Sequence, residues 1–313
     1  MNNIRVKTLP EEVTRAGKTV CSILFPVTGG AKIKYNLPEI PGHVPVWQRI
    51  WDTFSYGSPG FVASSLLRKG YLLRYFKTSQ IDDFAAAVAG SIIKRKQPDL
   101  VMVHFLDADV AKHRYGPYSA HSRASLVRLD RRLGKMMEAI EKAGLKESMS
   151  VMVFSDHNCR DVHTSIRPNF IRRSFGISDR DAYFHCSQGV CFLRFTDPKK
   201  KDEVAAFVKI FLENPGVDRL LTAVEMHESG AGTEFAYGFS AASGYSFGRK
   251  QLGQHGYSLD RDQYHTFYAV SGRHIPQGEV RTGGSLLNIC PLAVDLLDLE
   301  PWSMDGKNEI FER

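Results

Sequence analysis

The chain has 313 residues, of which 43% are hydrophobic and 24% charged, a balance that excludes a disordered chain and suits one large α/β domain or one domain with a smaller insert. Its formal net charge is +7, but the densest basic runs, Lys94-Arg95-Lys96 and Lys199-Lys200-Lys201, sit beside acidic residues and read as solvated faces; no helix-turn-helix, zinc-finger or RNP pattern accompanies them, so no specific nucleic-acid partner is expected. The longest apolar runs are too short to span a bilayer and the start carries no apolar signal segment, while five cysteines without a CxxC pair fit reduced thiols, so a cytoplasmic protein without a membrane partner is expected.

Residues 9–17 read as a short helix closed by Gly17, and Thr19–Phe25 as a β-branched strand ended by Pro26. The Gly- and Pro-rich stretch Gly29–Pro45 reads as loop. Helical patterns follow over Val46–Phe54, Gly60–Arg68 and Gln80–Lys94, then a strand over Asp99–Phe105. Tyr118–Ala143 is a long helix, with Leu126, Leu129, Leu133, Met136, Met137 and Ile140 recurring at three- and four-residue spacing and Gly144 as its stop. Met149–Phe154 is the next strand, so strand, helix and strand form a βαβ unit with a parallel sheet covered on both faces.

From 181 to about 245 the pattern changes to strands at Tyr183–Cys186 and Val190–Phe195, a helix at Val204–Leu212, and strands at Arg219–Met226 and Glu234–Phe239, which reads as a second layer or as a small α+β insert on the main sheet. Cys186 and Cys191, flanking the turn between its first two strands, read as small core residues rather than ligands. A loop over 242–262 leads back to a strand at His265–Val270 and a closing helix at Ser285–Leu297.

Three short clusters carry chemistry. Asp109 and His113 follow the strand ending near Phe105 and are placed in the loop after it. Asp156 and His157 follow the strand ending at Phe154. His255 lies between Gln254 and Gly256 in a Gly-rich loop. Ligands gather at the carboxyl ends of strands in open α/β sheets, and the two strands are candidate neighbours, so their loops can converge. Carboxylate oxygen and imidazole nitrogen are the ligands that zinc and related ions accept. Any one such Asp–His contact, taken alone, is more often a cap or a surface hydrogen bond. Asp107, two residues from Asp109, has the chemistry to compete with it. His104, His121, His163, His185 and His227 lack a partner pattern and read as core or surface imidazoles. Arg160, Arg167, Arg172 and Arg173 read as solvated charge.

Taken together the clusters resemble a known family. Phe105–Pro117, with Asp109-x-x-x-His113-x-x-Gly116-Pro117, resembles an element of the type I phosphodiesterase/nucleotide pyrophosphatase branch of the alkaline phosphatase superfamily. Ser155-Asp156-His157, Gly253-Gln254-His255-Gly256 and the closing Ser285–Pro291 are similar to further elements of that branch, and the likeness runs over nearly the whole chain. The resemblance implies one alkaline-phosphatase-like domain over 1–313, with a mostly parallel sheet covered by helices. It implies a phosphoric ester hydrolase of the phosphodiesterase/pyrophosphatase type, acting on a small phosphate-ester substrate with two divalent ions, Zn2+ or Mn2+. Asp109, His113 and His255 would hold one ion, and Asp156 with His157 the other.

The family also uses a Thr or Ser nucleophile and one further Asp ligand, both ahead of the segment similar to residues 9–45. None of Thr8, Thr14 and Thr19 follows a strand carrying an Asp ligand. The expectation is therefore an N-terminally incomplete domain with no catalytic nucleophile of its own, either a metal- or phosphate-ligand-binding remnant or one half of a split enzyme completed by a partner chain.

Overall fold

The computed structural model describes residues 4, 6–40, 44–228, 230–232, 234–258, 264–273 and 275–310. Residues 1–3, 5, 41–43 and 259–262, on which the signal-segment and loop expectations partly fall, lie outside them.

In chain order the elements are α1 (Leu9–Arg15), β1 (Val20–Ile23), β2 (Tyr35–Leu37), α2 (Val46–Tyr56), α3 (Pro59–Lys69), α4 (Thr78–Lys96), β3 (Leu100–Val103), α5 (Asp107–Tyr115) and α6 (Ala120–Lys142). They continue as β4 (Val151–Phe154), β5 (Arg160–Asp161), β6 (Thr164–Ile166), α7 (Pro168–Ser174), β7 (Ala182–Ser187), β8 (Val190–Phe195), α8 (Lys201–Leu212) and β9 (Val217–Leu220). The last are α9 (Ala223–Glu228), β10 (Tyr237–Ala241), β11 (Tyr245–Phe247), β12 (Gly253–Gln254), β13 (Tyr268–Ser271) and α10 (Ile289–Leu296). No helix among the described residues is long and apolar enough to cross a membrane.

The chain divides into two compact units, one of residues 1–108, 125–154 and 268–313, the other of 109–124 and 155–267. In the first unit β1 lies between β2 and β3, all parallel, with Cys21 opposite both Tyr35 and Val101. Side chains of a strand alternate between faces, and both β1 and β3 obey this. Cys21, Ile23, Val101 and Val103 pack with Val62 of α3 and Phe84, Val88 and Ile92 of α4. Val20, Leu100 and Met102 pack on the other face with Val13 of α1 and Val294 of α10. The sheet is thus covered by helices on both faces, as βαβ connectivity requires.

Three expectations for this unit are corrected. The stretch 29–45 holds β2, whose Asn36 is buried and donates its side-chain amide to the Thr28 carbonyl at 2.6 Å, a tie that turn composition does not show. The strands β3 and β4 are not neighbours: β3 pairs with β1, and β4 pairs antiparallel with β13. The third concerns the segment after β3, which is helix α5 and not loop. Its opening amides, Leu106 and Asp107, each donate at 2.9 Å to the carboxylate of Asp82 on α4. That side-chain cap supplies acceptors for donors that a helix start leaves orphaned.

The second unit is built on the antiparallel sheet β7-β8-β10-β9. Val204, Phe207, Val208 and Phe211 of α8 are buried together with Phe184 and Phe239 of the sheet, and the Phe211 and Phe239 rings meet edge to face at 5.1 Å. Cys191 is fully buried whereas Cys186 is exposed. The expected strand over Arg219–Met226 ends at Leu220, and α9 begins at Ala223. Thr222 and Glu225 cap each other there, the Thr222 amide donating to the Glu225 carboxylate at 2.7 Å and the Glu225 amide to the Thr222 hydroxyl at 3.2 Å. Two small pairings, β11 with β6 and β12 with β5, complete the unit.

Candidate metal centre

All five expected ligand residues, Asp109, His113, Asp156, His157 and His255, belong to the second unit. Asp109 and His113 lie one turn apart on one face of α5, with Asp109 Oδ2 3.3 Å from His113 Nε2. The other nitrogen, Nδ1, is 2.7 Å from the Gly253 carbonyl oxygen on β12. A carbonyl only accepts, so Nδ1 carries the hydrogen and Nε2 faces Asp109, the arrangement that orients a metal-binding imidazole. Leu252 closes the same junction by donating its amide to the His113 carbonyl at 3.0 Å. Position 253 requires glycine, because a Cβ there would lie 2.4 Å from the Lys112 carbonyl oxygen and 2.8 Å from Cys159 Sγ.

His157 is set by the turn after β4. The Ser155 hydroxyl donates to the His157 carbonyl at 2.7 Å, and the His157 amide donates to Asp156 Oδ1 at 3.0 Å. Its Nδ1 lies 3.1 Å from the Asn158 carbonyl, which again leaves Nε2 for other partners. Asp156 Oδ2 is 3.6 Å from that Nε2, on a side chain 67% exposed. His255 follows β12 and is held by its carbonyl, which accepts from the Gly189 amide at 3.0 Å. The next residue, Gly256, has φ +75° and no room for a Cβ beside the Ser187 carbonyl, so the chain turns there only with glycine.

These pieces meet. One ligand atom from each of Asp109, His157 and His255 lies within 4.8 Å of the others. The rings of His157 and His255 stack with centroids 3.7 Å apart, and those of His113 and His255 are 5.1 Å apart. His157 is therefore close both to Asp109 and His255 and to Asp156.

The electrostatics follow from this crowding. Burial works to raise the Asp109 carboxyl, but the hydrogen bond and charge of His113 outweigh it and hold it below the ordinary value. His113 is raised, first by its hydrogen bond to Asp109. His255 is pushed down to about 4, first by burial and then by neighbouring His157, so the ring is neutral at pH 7 and keeps one nitrogen free to ligate. Asp109 Oδ1 is buried and has no hydrogen-bond partner among the described residues. An unpaired carboxylate oxygen beside imidazole nitrogens is a donor set suited to a divalent cation. The adjacent thiol of Cys159 is pushed by burial to about 12 and stays neutral.

Asp107 does not compete with Asp109. It is buried in the first unit, where Arg128 Nε approaches at 2.7 Å and Arg132 Nη1 at 3.0 Å. Arg132 also reaches Asp82 at 3.5 Å and Asp83 at 2.8 Å. The reading of Arg172 as solvated charge is corrected: it is fully buried and ties the end of α7 to the Ile177 carbonyl and the Asp179 carboxylate. What the sequence did not show is that the Gly253 carbonyl orients His113, although Gly253 stands in the quoted motif, and that Asp82 caps α5. Gly253 stands two residues before His255 and offers a faint signal; Asp82 offers none.

A family model described as type I phosphodiesterase/nucleotide pyrophosphatase matches residues 7–218. The venom phosphodiesterase CdcPDE of Crotalus durissus collilineatus is 23% identical over 307 residues, covering 88% of this chain and 36% of the relative. The human ectonucleotide pyrophosphatase/phosphodiesterase family member 7 is 34% identical over 64 residues, covering 20% of this chain and 14% of that protein. The chain thus spans about a third of the length of the curated venom relatives it matches. Among solved structures, an inactive variant of murine ectonucleotide pyrophosphatase/phosphodiesterase 5 in complex with AMP superposes with a TM-score of 0.67 at 16% identity, over 94% of this chain and 71% of that one. The fold is accordingly alkaline-phosphatase-like, and the chain belongs to the type I phosphodiesterase/nucleotide pyrophosphatase family.

Proposed function

We propose that the cluster binds divalent cations, zinc or manganese, and through them a small phosphate ester, as the metal-holding part of a phosphodiester- or pyrophosphate-hydrolysing centre. The observation that carries this reading is the buried, unpartnered Asp109 Oδ1 facing the imidazoles of His157 and His255. Leaving such an oxygen unsatisfied costs on the order of 1–3 kcal/mol or more, which a cation would relieve. Asp109, His157 and His255 would hold the first ion. His113 and Asp156, each beside one of these, would extend the set towards the second, and the sharing implied by the family has Asp109, His113 and His255 on one ion with Asp156 and His157 on the other.

A divalent ion bound there would polarise a phosphoryl oxygen and offset the charge that builds on it. The chain's own residues do the rest. The Gly253 and Asn158 carbonyls engage Nδ1 of two imidazoles, so Nε2 is the nitrogen each presents for ligation. None of the five side chains is an alcohol, and Cys159 is a neutral thiol. Attack at phosphorus therefore draws its oxygen from water or from a group outside these five. The AMP held by the murine relative makes a nucleotide ester the first substrate class to examine.

The same lack of an alcohol favours a second reading, binding of metal and phosphate ester without turnover. Both are tested on purified protein by measuring zinc content after dialysis and hydrolysis of a nitrophenyl nucleotide ester with zinc or manganese. Bound zinc that is lost in Asp109→Asn and His255→Ala supports the centre; zinc content unchanged in both variants sinks it. Turnover that disappears in the same variants selects the hydrolase, and zinc binding without turnover selects the second reading.

A further inference from the structure

A cavity of about 350 Å³ lies in the first unit, away in sequence from every residue of the metal centre. Two helical stripes form its walls. Phe61, Ser64, Ser65, Arg68 and Lys69 recur at i, i+3, i+4, i+7 and i+8 along α3. Val88, Ser91, Ile92, Arg95 and Lys96 repeat the same spacing along α4. Residues so spaced share one helix face, so each helix turns a face of apolar, hydroxyl and finally cationic groups into one space.

The parallel sheet shows which groups share an end of that space. Tyr35 and Val101 both stand opposite Cys21, so Lys34, just before β2, and the Arg95–Lys96 end of α4, just before β3, lie at the same end of the sheet. The Ser58 amide donates to the Asn36 carbonyl at 2.8 Å, which brings the start of α3 there too. The amides of Gly60 and Phe61, in the first turn of α3, have no intrahelical acceptor and add the positive end of a helix dipole. Beside them the Tyr35 and Phe61 rings meet edge to face at 5.6 Å.

A solvated basic face is the plain alternative, and it is how the run Lys94-Arg95-Lys96 reads in isolation. Three observations go against it for this cavity. Its lining holds five cations and no carboxylate. None of Lys34, Arg68, Lys69, Arg95 and Lys96 forms an ion pair with a carboxylate among the described residues, although other exposed lysines of this chain do. Ser65 is only 5% exposed, lines the cavity, and its hydroxyl has no hydrogen-bond partner among the described residues. That hydroxyl is not among the enclosed unsatisfied atoms of the fold, so it is open to the cavity and free to meet a ligand there.

We propose that this cavity is a second, metal-independent site for a small organic phosphate monoester, its phosphate held by Lys34, Arg95, Lys96 and the first-turn amides of α3, its aromatic or apolar moiety lying on Tyr35 and Phe61 towards Ser65. The volume suits a small ligand of this kind, and dispersed cations with helix-start amides are the donors a phosphate dianion selects.

The test is calorimetric titration of phenyl phosphate and of inorganic phosphate into the full chain stripped of metal with phenanthroline and dialysed, so that the metal centre does not contribute. Saturable binding of phenyl phosphate, tighter than inorganic phosphate and weakened by salt, is expected. Removing two charge-assisted contacts in the double variant Arg95→Ala/Lys96→Ala should weaken it roughly tenfold or more. Those side chains are exposed, so the fold should be kept; Ser65→Val, which fills the cavity without touching a charge, should weaken phenyl phosphate as well. Absence of saturable binding, or affinities unchanged in both variants, overturns the site. Phenyl phosphate binding no tighter than inorganic phosphate overturns the assignment of the rings to the ligand's apolar part.

Discussion

His113 Nδ1 and the carbonyl oxygen of Gly253 lie 2.7 Å apart although 140 positions separate them in the chain. This bond settles which nitrogen of His113 faces Asp109, and it depends on a glycine that admits the Lys112 carbonyl and Cys159 Sγ to within a Cβ's reach.

Gly253→Ala should therefore act on metal affinity through geometry alone. The added Cβ forces β12 away from the end of α5 and breaks the carbonyl contact without changing any ligand. Loss of such an orienting partner typically costs about 10–100-fold in metal affinity. The measurement is zinc affinity by competition with a chromogenic chelator, with circular dichroism to show that the fold is kept. Affinity within twofold of wild type would show that His113 needs no such support.

Zinc should stabilise the folded chain. A ligand bound only by the native state adds about 2.7 kcal/mol at a free concentration a hundred times its Kd. Thermal unfolding with and without zinc, and after chelation, should show a reversible rise in midpoint that is absent in His255→Ala. An equal rise in wild type and variant would place the stabilising zinc elsewhere.

Arg132 is the keystone of the acidic group at the start of α5, only 2% exposed and in contact with Asp82, Asp83 and Asp107. Arg132→Ala removes the cation beside fully buried Asp82 and one of the two that hold Asp107, and should cost roughly 3–5 kcal/mol. Arg128→Ala should cost clearly less, because Arg128 is 37% exposed and Asp107 keeps Arg132. Denaturant unfolding of the two variants decides; equal losses would mean that Asp107 is held mainly by Arg128.

How much of this was legible in the sequence depended on whether the cause was local. The alternation of β1 and β3 and the periodicity of α6 stand in the residues themselves, and so do the three Asp–His clusters. The helix α5 was not visible, because Asp107–Tyr115 carries only Ala108, Val110 and Ala111 as aliphatic residues and its cap, Asp82, lies on another helix. The strand β2 is three residues long and is fixed by pairing with β1. The start of α9 was different: Thr222-x-x-Glu225 is a capping signature in plain view, obscured by the β-branched and aliphatic residues around it. Arg172 shows the reverse limit, since a charged residue's burial depends on a partner, Asp179, that composition does not point to.

Asp82 gives the protein a pH dependence of unusual sign. Burial pushes its carboxyl to about 6, against the opposing pull of the Leu106 and Asp107 amides and of Arg132. A carboxyl whose folded value lies above its ordinary 3.8 binds its proton more tightly when folded. Its contribution to stability is therefore complete below about 3.8 and is lost as pH rises through about 6. Most other perturbed carboxyls here, such as Asp107 and Asp99, are lowered and act in the opposite direction, so the effect must be isolated by difference. The variant Asp82→Asn does not titrate. The unfolding free energy of wild type minus that of Asp82→Asn should fall between pH 4 and 6.5, by at most roughly 3 kcal/mol, the worth of the gap between those two values. A difference that stays flat, or grows, over that range would show that Asp82 remains ionised in the fold and that Arg132 and the two amides outweigh its burial.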